Sequence, residues 1–188
     1  MMNKETCAES ALLDIERMEN YRMFASATAY PDEKFFGCFP VFTDNEKKEL
    51  AYEYDRVFRA GKVWLYGAEY MSENEFQRVA HLSDIMGFYR AFGVEPVNDR
   101  ADAMANEFEF MYYLVLKKNR AASESPANNG RVSVCSDAQK KFFEKHLHPA
   151  AKKICRKILQ QSQNRFYMSV AMEMLDFLKE EKRFFEVN

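Results

Sequence analysis

The chain has 188 residues, 47% of them apolar, which is enough for one domain with a sizeable core. Its formal net charge is −2, so no overall positive field attracts nucleic acid or an acidic membrane surface. No apolar run approaches the ~18 residues of a membrane span, and no secretory signal is recognisable, so we expect neither export nor stable membrane insertion. The widely spaced cysteines form no Cys-x-x-Cys pair and are typical of free thiols in a reducing cytoplasm: Cys7, Cys38, Cys135 and Cys155.

Four capping-box patterns, Ser/Thr-x-x-Glu/Gln, predict where helices begin. In this pattern the first side chain accepts from a free backbone N–H, and the fourth reaches back to the cap. The four pairs are Thr6 with Glu9, Thr43 with Glu46, Ser72 with Glu75, and Ser136 with Gln139.

Apolar residues recur at helical spacing after each of these caps. The first helix is predicted to follow Thr6 and to stop before Pro31, and the second to follow Thr43 with Gly61 as its C-cap. The third, between Ser72 and Gly93, is apolar on more than one side, so we expect it to be central.

A fourth helix is predicted to begin near Asp99, and residues 121–133 are expected to form a mobile surface loop rich in Ala, Ser, Asn and Gly. Two further helices follow, over about residues 143–158, bent at Pro149, and 167–178. No segment alternates convincingly with the period of a strand. The sequence therefore predicts an all-α, single-domain helical bundle with six or more main helices.

Acidic residues are concentrated in the middle of the chain. Between Glu69 and Phe110 nine acids face three bases, a local net charge of −6. This excess has two readings, either solvated helix faces or a surface for a cationic partner.

No constellation for catalysis is visible. His146 and His148 lie two residues apart, so on a helix they point to different sides, and helix-surface histidines are the expected reading. No nucleophile motif or glycine-rich phosphate loop occurs. We therefore expect no catalytic residues, no cofactor and no metal, and Lys152, Lys153, Arg156 and Lys157 are read as a solvated face, without nucleic-acid binding.

Several motifs in order resemble one known family. Residues 30–33, Tyr-Pro-Asp-Glu, and 53–58, Glu-Tyr-Asp-Arg-Val-Phe, are followed by 88–95, Phe-Tyr-Arg-Ala-Phe-Gly-Val-Glu. Residues 100–111 read Arg-Ala-Asp-Ala-Met-Ala-Asn-Glu-Phe-Glu-Phe-Met, and 139–147 carry Gln, Phe and His-Leu at the family's spacing. This series is similar to the TorD/DmsD/NarJ family of cytoplasmic chaperones for molybdenum enzymes. Ala101 and Ala103 replace the Pro and His of the family's acidic turn, so any ligand contact of that His is absent.

The resemblance implies an all-helical, non-catalytic protein that binds a molybdopterin oxidoreductase precursor, either its catalytic subunit or its twin-arginine leader peptide. Such a leader presents two guanidinium groups followed by an apolar stretch, which carboxylates and aromatic rings would hold. The predicted peptide-binding residues are Trp64, Tyr66, Tyr70, Phe88, Tyr89, Asp99, Asp102 and Glu107.

Other interpretations stay open at this point. Phe88 and Tyr89 also fit a helical core, and Asp99 and Asp102 also fit the cap of the fourth helix. The alternative function is a helical adaptor unrelated to molybdoenzymes, and a third is an enzyme with a site assembled from distant residues. The protein is expected to be a monomer or a homodimer.

Overall fold

Helices make up the regular structure of this all-α domain, as predicted. The structure is a computed structural model that describes residues 4–96, 99–124 and 128–187, with side chains described from residue 12 onward. Within these ranges the only β-type pairing is an isolated antiparallel bridge between Tyr66 and Ala103. The α-helices are α1 Lys4–Ala27, α2 Glu33–Cys38, α3 Asp44–Tyr54, α4 Ala68–Met71, α5 Glu75–Ala91, α6 Met104–Glu124, α7 Asn129–Phe142, α8 His148–Gln161 and α9 Arg165–Val187. Two π-helical turns, Asp55–Arg59 and Phe143–Leu147, extend α3 and join α7 to α8.

The predicted cap of α3 is confirmed. The Thr43 hydroxyl accepts from the backbone N–H of Glu46, and the Glu46 carboxylate accepts from the backbone N–H of Thr43. The cap predicted at Ser72 is wrong, because α5 begins two residues later. There the Asn74 side chain accepts from the backbone N–H of Gln77 at 3.0 Å.

The remaining two capping patterns fall inside helices. Thr6 lies two residues after the start of α1, and Ser136 lies in the middle of α7, so neither residue begins a helix. A four-residue pattern cannot distinguish a helix start from a helix interior, so these two predictions are wrong.

The expected surface loop at 121–133 is largely helical. The long helix α6 continues to Glu124, and α7 begins at Asn129; residues 125–127 lie outside the described part of the chain. Buried side chains hold both helix ends, because Ala121 packs against the protein and Cys135 is 3% exposed. Exposed Gly and Ser residues are tolerated on the opposite face of α7, which is why composition alone suggested a loop.

The centre of the fold is α6, which packs against α1 on one side and α7 on another. Aromatic rings from α1, α6 and α9 interlock there: Phe24 lies 5.5 Å from Phe108 and 5.4 Å from Phe177, and Tyr21 lies 5.0 Å from Phe177 between ring centroids. Such pairs favour tilted and edge-on contacts over flat sandwiches. The Phe- and Tyr-rich composition therefore serves the core here.

A buried ion pair joins the two terminal helices. Arg17 of α1 donates from Nε and Nη2 to Glu181 of α9 at 2.7 and 2.9 Å, and also bonds Asp14 and Gln139. Because the pair is bidentate and hydrogen-bonded on all sides, both charges are tolerated inside the protein.

The third predicted helix, α5, is peripheral and not central. Ile85 and Tyr89 face inward, but Phe76 is 89% exposed and Val79 is 57% exposed. The apolar side chains Phe76 and Val79 on its outer side are not covered by other described residues. Apolar residues on more than one side of this helix therefore did not indicate a central position.

Candidate peptide-binding surface

The turn between α5 and α6 is fixed from within by Asp102. Its buried carboxylate accepts from Arg100 Nε at 3.0 Å, from Arg100 Nη2 at 2.9 Å and from the backbone N–H of Ala68 at 2.9 Å. The backbone carbonyl of Asp102 accepts from Gly67 N–H at 2.8 Å, and Arg100 also pairs with Glu69 at 2.9 Å. Asp102 therefore caps the short helix α4 and holds it against the turn.

The fourth predicted helix begins later than expected. It starts at Met104, so the expected start near Asp99 is wrong, and Asp102 serves α4 instead of capping α6. Asp99 is exposed and accepts from the backbone N–H of Arg100 at 2.7 Å. Burial and the nearby, hydrogen-bonded Asp99 carboxylate raise the pKa of the Tyr66 hydroxyl. Two aspartates three residues apart thus have opposite environments.

Four of the predicted peptide-binding residues lie inside the protein or against its core: Asp102, described above, and Tyr89, Glu107 and Phe88. Tyr89 is 2% exposed, and its hydroxyl donates to the carbonyl of Ala101 at 2.8 Å. Glu107 is fully buried. Phe88 is half-buried, with its ring 5.4 Å from that of Phe142. The core interpretation therefore describes the positions of Tyr89 and Phe88, and a peptide on the surface does not reach Asp102 or Glu107 in this conformation.

The other aromatic candidates come together. The rings of Trp64 and Tyr66 lie 6.5 Å apart, and the Tyr70 hydroxyl accepts from the backbone N–H of Trp64 at 3.0 Å. Trp64 is 46% exposed, while Tyr66 and Tyr70 are half-buried. The guanidinium of Arg100 lies over the Tyr66 ring, 4.4 Å from its centroid, so this surface already accommodates an arginine on an aromatic face.

Sequence reasoning missed two neighbouring tyrosines. The rings of Tyr30 and Tyr54 meet edge to face at 5.2 Å, and Arg59 lies 4.0 Å from the Tyr30 centroid. Burial raises the pKa of Tyr54 to about 12, and Tyr66 and Asp99 are near enough to contribute in the same direction. The available signal was their position in the two motifs at residues 30–33 and 53–58. We call Tyr30, Tyr54, Trp64, Tyr66 and Tyr70, together with Asp99, the aromatic patch.

A cleft of about 200 Å³ opens beside the same turn. Two exposed carboxylates, Glu95 and Glu109, lie at this cleft, and neither forms an ion pair among the described residues. Glu109 was not among the predicted residues; it is exposed, whereas Glu107, two residues earlier on α6, is buried. We call this the acidic cleft; it is lined by Tyr89, Val94, Glu95, Pro96, Asn106, Glu109, Phe110 and Tyr113.

Internal pairing removes part of the acidic excess of the middle segment. Glu69 pairs with Arg78 and Arg100, at 3.1 and 2.9 Å, and Asp84 pairs with Lys145 at 2.8 Å. The exposed acids of this segment without such pairs in the described ranges include Glu95, Asp99 and Glu109, all beside the α5–α6 turn. The negative charge offered to a partner is therefore concentrated at that turn.

The histidine predicted to lie on a helix surface is buried. His146 is fully inaccessible, with Nε2 2.5 Å from an Asp84 carboxylate oxygen, and burial lowers its pKa to about 4. The surface prediction for His146 is wrong; the residue lies in the π-helical turn Phe143–Leu147, and its ring packs against Asp84 and His81 of α5. Across the described residues, no three His, Cys, Asp or Glu side chains are arranged to hold a metal ion.

No helix in the described ranges combines the length and apolarity needed to cross a membrane.

Comparison with known proteins assigns the family. The family model for the nitrate reductase delta subunit matches residues 25–156, well over half of the chain. A search of curated proteins found no match to this chain. The matched range includes the aromatic patch and the acidic cleft. The chain therefore belongs to the nitrate reductase delta subunit family, a family of chaperones for the maturation of molybdoenzymes.

Proposed function

We propose that this protein is a cytoplasmic chaperone that binds the catalytic subunit of a molybdopterin oxidoreductase, or its twin-arginine leader peptide, before export. Family membership supplies the class of client. The observation that carries the proposal is the juxtaposition of the aromatic patch with three exposed, unpaired carboxylates at one turn. Family membership also argues against the alternative of an adaptor unrelated to molybdoenzymes.

The chemistry of the surface suits a basic and apolar peptide. Arg59 and Arg100 lie over the rings of Tyr30 and Tyr66, and these contacts support the proposal that a client arginine stacks on an aromatic ring of the patch. No cation of the described residues occupies the exposed ring of Trp64. A client arginine stacked there would lie beside Asp99, because Asp99 contacts the neighbouring Tyr66.

The acidic cleft offers a second point of attachment. Its carboxylates, Glu95 and Glu109, flank the half-buried faces of Val94 and Tyr113. An arginine or lysine side chain has an apolar stem and a charged end. The stem would pack against Val94 and Tyr113, and the charged end would pair with Glu95 or Glu109. Two basic residues of one leader could engage the patch and the cleft together, while the apolar stretch of the leader contacts the aromatic rings.

Isothermal calorimetry with a synthetic twin-arginine leader tests this proposal. Trp64→Ala should weaken binding roughly tenfold, because aromatic anchors dominate binding energies. The matched control is Tyr52→Ala, which removes another exposed aromatic side chain, one on α3 that is 70% exposed. Equal loss in both variants, or in neither, contradicts the placement.

The charge contribution is tested with a triple variant, Glu95→Gln, Asp99→Asn and Glu109→Gln. Exposed ion pairs are each worth only ~0–1 kcal/mol, so the three together should weaken binding by about tenfold and reduce its salt dependence. The control is Glu144→Gln, Glu173→Gln and Glu180→Gln, which neutralises three exposed acids on other elements. If this control weakens binding as much as the first triple variant, net charge and not the turn attracts the leader.

A further inference from the structure

Glu107 is a buried carboxyl group without a partner. It is 0% exposed, and neither of its oxygens has a hydrogen-bond partner among the described residues. The buried Asp102 five residues earlier accepts three hydrogen bonds. A carboxylate in the position of Glu107 would carry an uncompensated charge in the core, whereas a carboxylic acid would not.

The imidazole of His81 and the carboxyl group of Glu107 both lie beside Gly67. A Cβ atom at position 67 would lie 2.9 Å from Glu107 Oε1 and 3.7 Å from His81 Nε2. His81 Nε2 also lacks a partner among the described residues. A neutral imidazole has one accepting nitrogen, and a protonated carboxyl group has one O–H to donate. The two groups, from α5 and α6, thus converge with complementary needs.

The surrounding charges favour one proton at this place. The α5–α6 turn contributes Asp102, which together with the dominant effect of burial raises the pKa of Glu107. On α5 and in the π-helical turn, Asp84 is paired with Lys145 and His146. Burial lowers the pKa of His81, Lys145 lowers it further, and Asp102 and Asp84 act in the opposite sense.

The remaining elements add no donor to Glu107. On α4, Glu69 is held by Arg100 and Arg78. On α5, the Tyr89 hydroxyl donates to Ala101, and α8 presents the methyl group of Ala150 near Gly67. The ring of His146 lies 4.9 Å from that of His81, and its Nε2 is engaged by Asp84.

We propose that Glu107 holds a proton in the folded protein and can donate it to His81, and that this proton-binding site fastens α5 to α6 across Gly67. The inference goes beyond peptide binding and holds whether or not a leader binds the aromatic patch. When the proton leaves, the remaining negative charge must reach water, and the route is separation of the peripheral helix α5 from α6. Rising pH therefore loosens α5.

The sign of the pH dependence follows from linkage. The folded protein holds the Glu107 proton more tightly than the unfolded chain, so this group stabilises the fold at low pH, and that stability is lost as pH rises towards the pKa of the folded state. This is opposite to the usual behaviour of an acid. Histidine side chains of the unfolded chain also bind protons near pH 6.5, so comparison with a variant is needed to isolate Glu107.

Chemical denaturation between pH 5 and pH 8 compares the wild type with Glu107→Gln. The unfolding constant of the wild type, divided by that of the variant, should rise with pH by up to tenfold per pH unit. The control Glu109→Gln changes the exposed acid two residues away and should give a flat ratio. A flat ratio for Glu107→Gln as well would overturn the proposal.

Infrared spectroscopy on the wild type keeps the proposal testable if Glu107→Gln does not fold. At neutral pH the spectrum should contain the carbonyl stretch of a protonated carboxylic acid, and His81→Phe should shift it because the acceptor is gone. Hydrogen exchange at Ile85 and Tyr89 should accelerate with pH beyond the intrinsic rate. Absence of the protonated carbonyl band, or exchange that follows only the intrinsic rate, contradicts the proposal.

Discussion

The inner and outer sides of the α5–α6 turn use the same residue types in opposite ways. On the inner side, Asp102 and Tyr89 are buried. Asp102 accepts from the backbone N–H of Ala68, and the Tyr89 hydroxyl donates to the carbonyl of Ala101. On the outer side, Asp99 is exposed and Trp64 and Tyr66 are partly exposed; Arg100 lies over one face of the Tyr66 ring, whereas no cation of the described residues lies over Trp64. Burial therefore decides which residues of this acidic, aromatic segment form a structural clamp and which stay accessible to the proposed client.

The largest expected effect separates the two aspartates. Asp102→Ala removes three hydrogen bonds, two of them from Arg100, and leaves that guanidinium and the N–H of Ala68 without their acceptor. We expect a loss of roughly 2–4 kcal/mol in the free energy of unfolding, measured by chemical denaturation. Asp99→Ala should cost less than about 1 kcal/mol. Similar losses in the two variants would show that the inner and outer sides are not distinct.

A substitution at Gly67 tests the packing on the inner side of the turn. Its backbone is ordinary right-handed helix, so the need for glycine is steric: an added methyl group would lie 2.9 Å from Glu107 Oε1. Gly67→Ala should destabilise the protein by about 1–3 kcal/mol in thermal or chemical unfolding. The cost should shrink in a Glu107→Ala background, because the clashing carboxyl group is gone.

Gly87 provides the matched control for this substitution. It lies within α5, and an added Cβ would meet nothing within 4 Å. Gly87→Ala should therefore stabilise the protein by about 0.5–1 kcal/mol through helix propensity. Destabilisation at Gly87, or tolerance at Gly67, would contradict the packing described here.

A second buried glutamate, Glu53 in α3, shows what partners change. It accepts from Arg56 at 2.7 and 2.8 Å, from the Ser162 hydroxyl at 2.6 Å and from Gln163 N–H at 3.1 Å. Against the opposing effect of burial, these donors lower its pKa from 4.5 to about 2. Glu53 therefore stabilises the fold above pH 4.5, and this contribution is lost as pH falls towards 2.

Glu53→Gln should cost about 1–2 kcal/mol at neutral pH, and the difference from the wild type should vanish as pH falls below 4.5. Denaturation curves at neutral and acidic pH measure it. A difference that persists unchanged in acid would mean that the charge of Glu53 is not what its donors stabilise.

The all-helical fold was predictable because helical period extends over long segments, as in α6 and α9. Boundaries were less predictable, since Thr43 and Ser136 carry the same short pattern and only Thr43 begins a helix. Burial at the turn was not predictable either. Asp99 and Asp102 differ by which one meets Arg100 and α4 in three dimensions, and that information lies in contacts between distant segments.

The candidate site was predicted in part for the same reason. Trp64, Tyr66 and Tyr70 are close in sequence, so their meeting follows from a short link between helices. Tyr30 lies in the link between α1 and α2, and Tyr54 is the last residue of α3, so their place beside Tyr66 depends on how distant segments pack. His146 was predicted to lie on a helix surface but is buried. It lies in a π-helical turn and packs against Asp84 and His81 of another helix, a contact between distant segments that the sequence does not reveal.

Trp64 gives the most direct test of the claim that the outer side of the turn binds the client. It is the only tryptophan of the chain, so its fluorescence reports this surface without any substitution. Titration of a twin-arginine leader should shift the emission of Trp64 and saturate at the dissociation constant measured by calorimetry. Binding confirmed by calorimetry with unchanged Trp64 emission, and with unaltered affinity in Tyr66→Ala, would contradict the account.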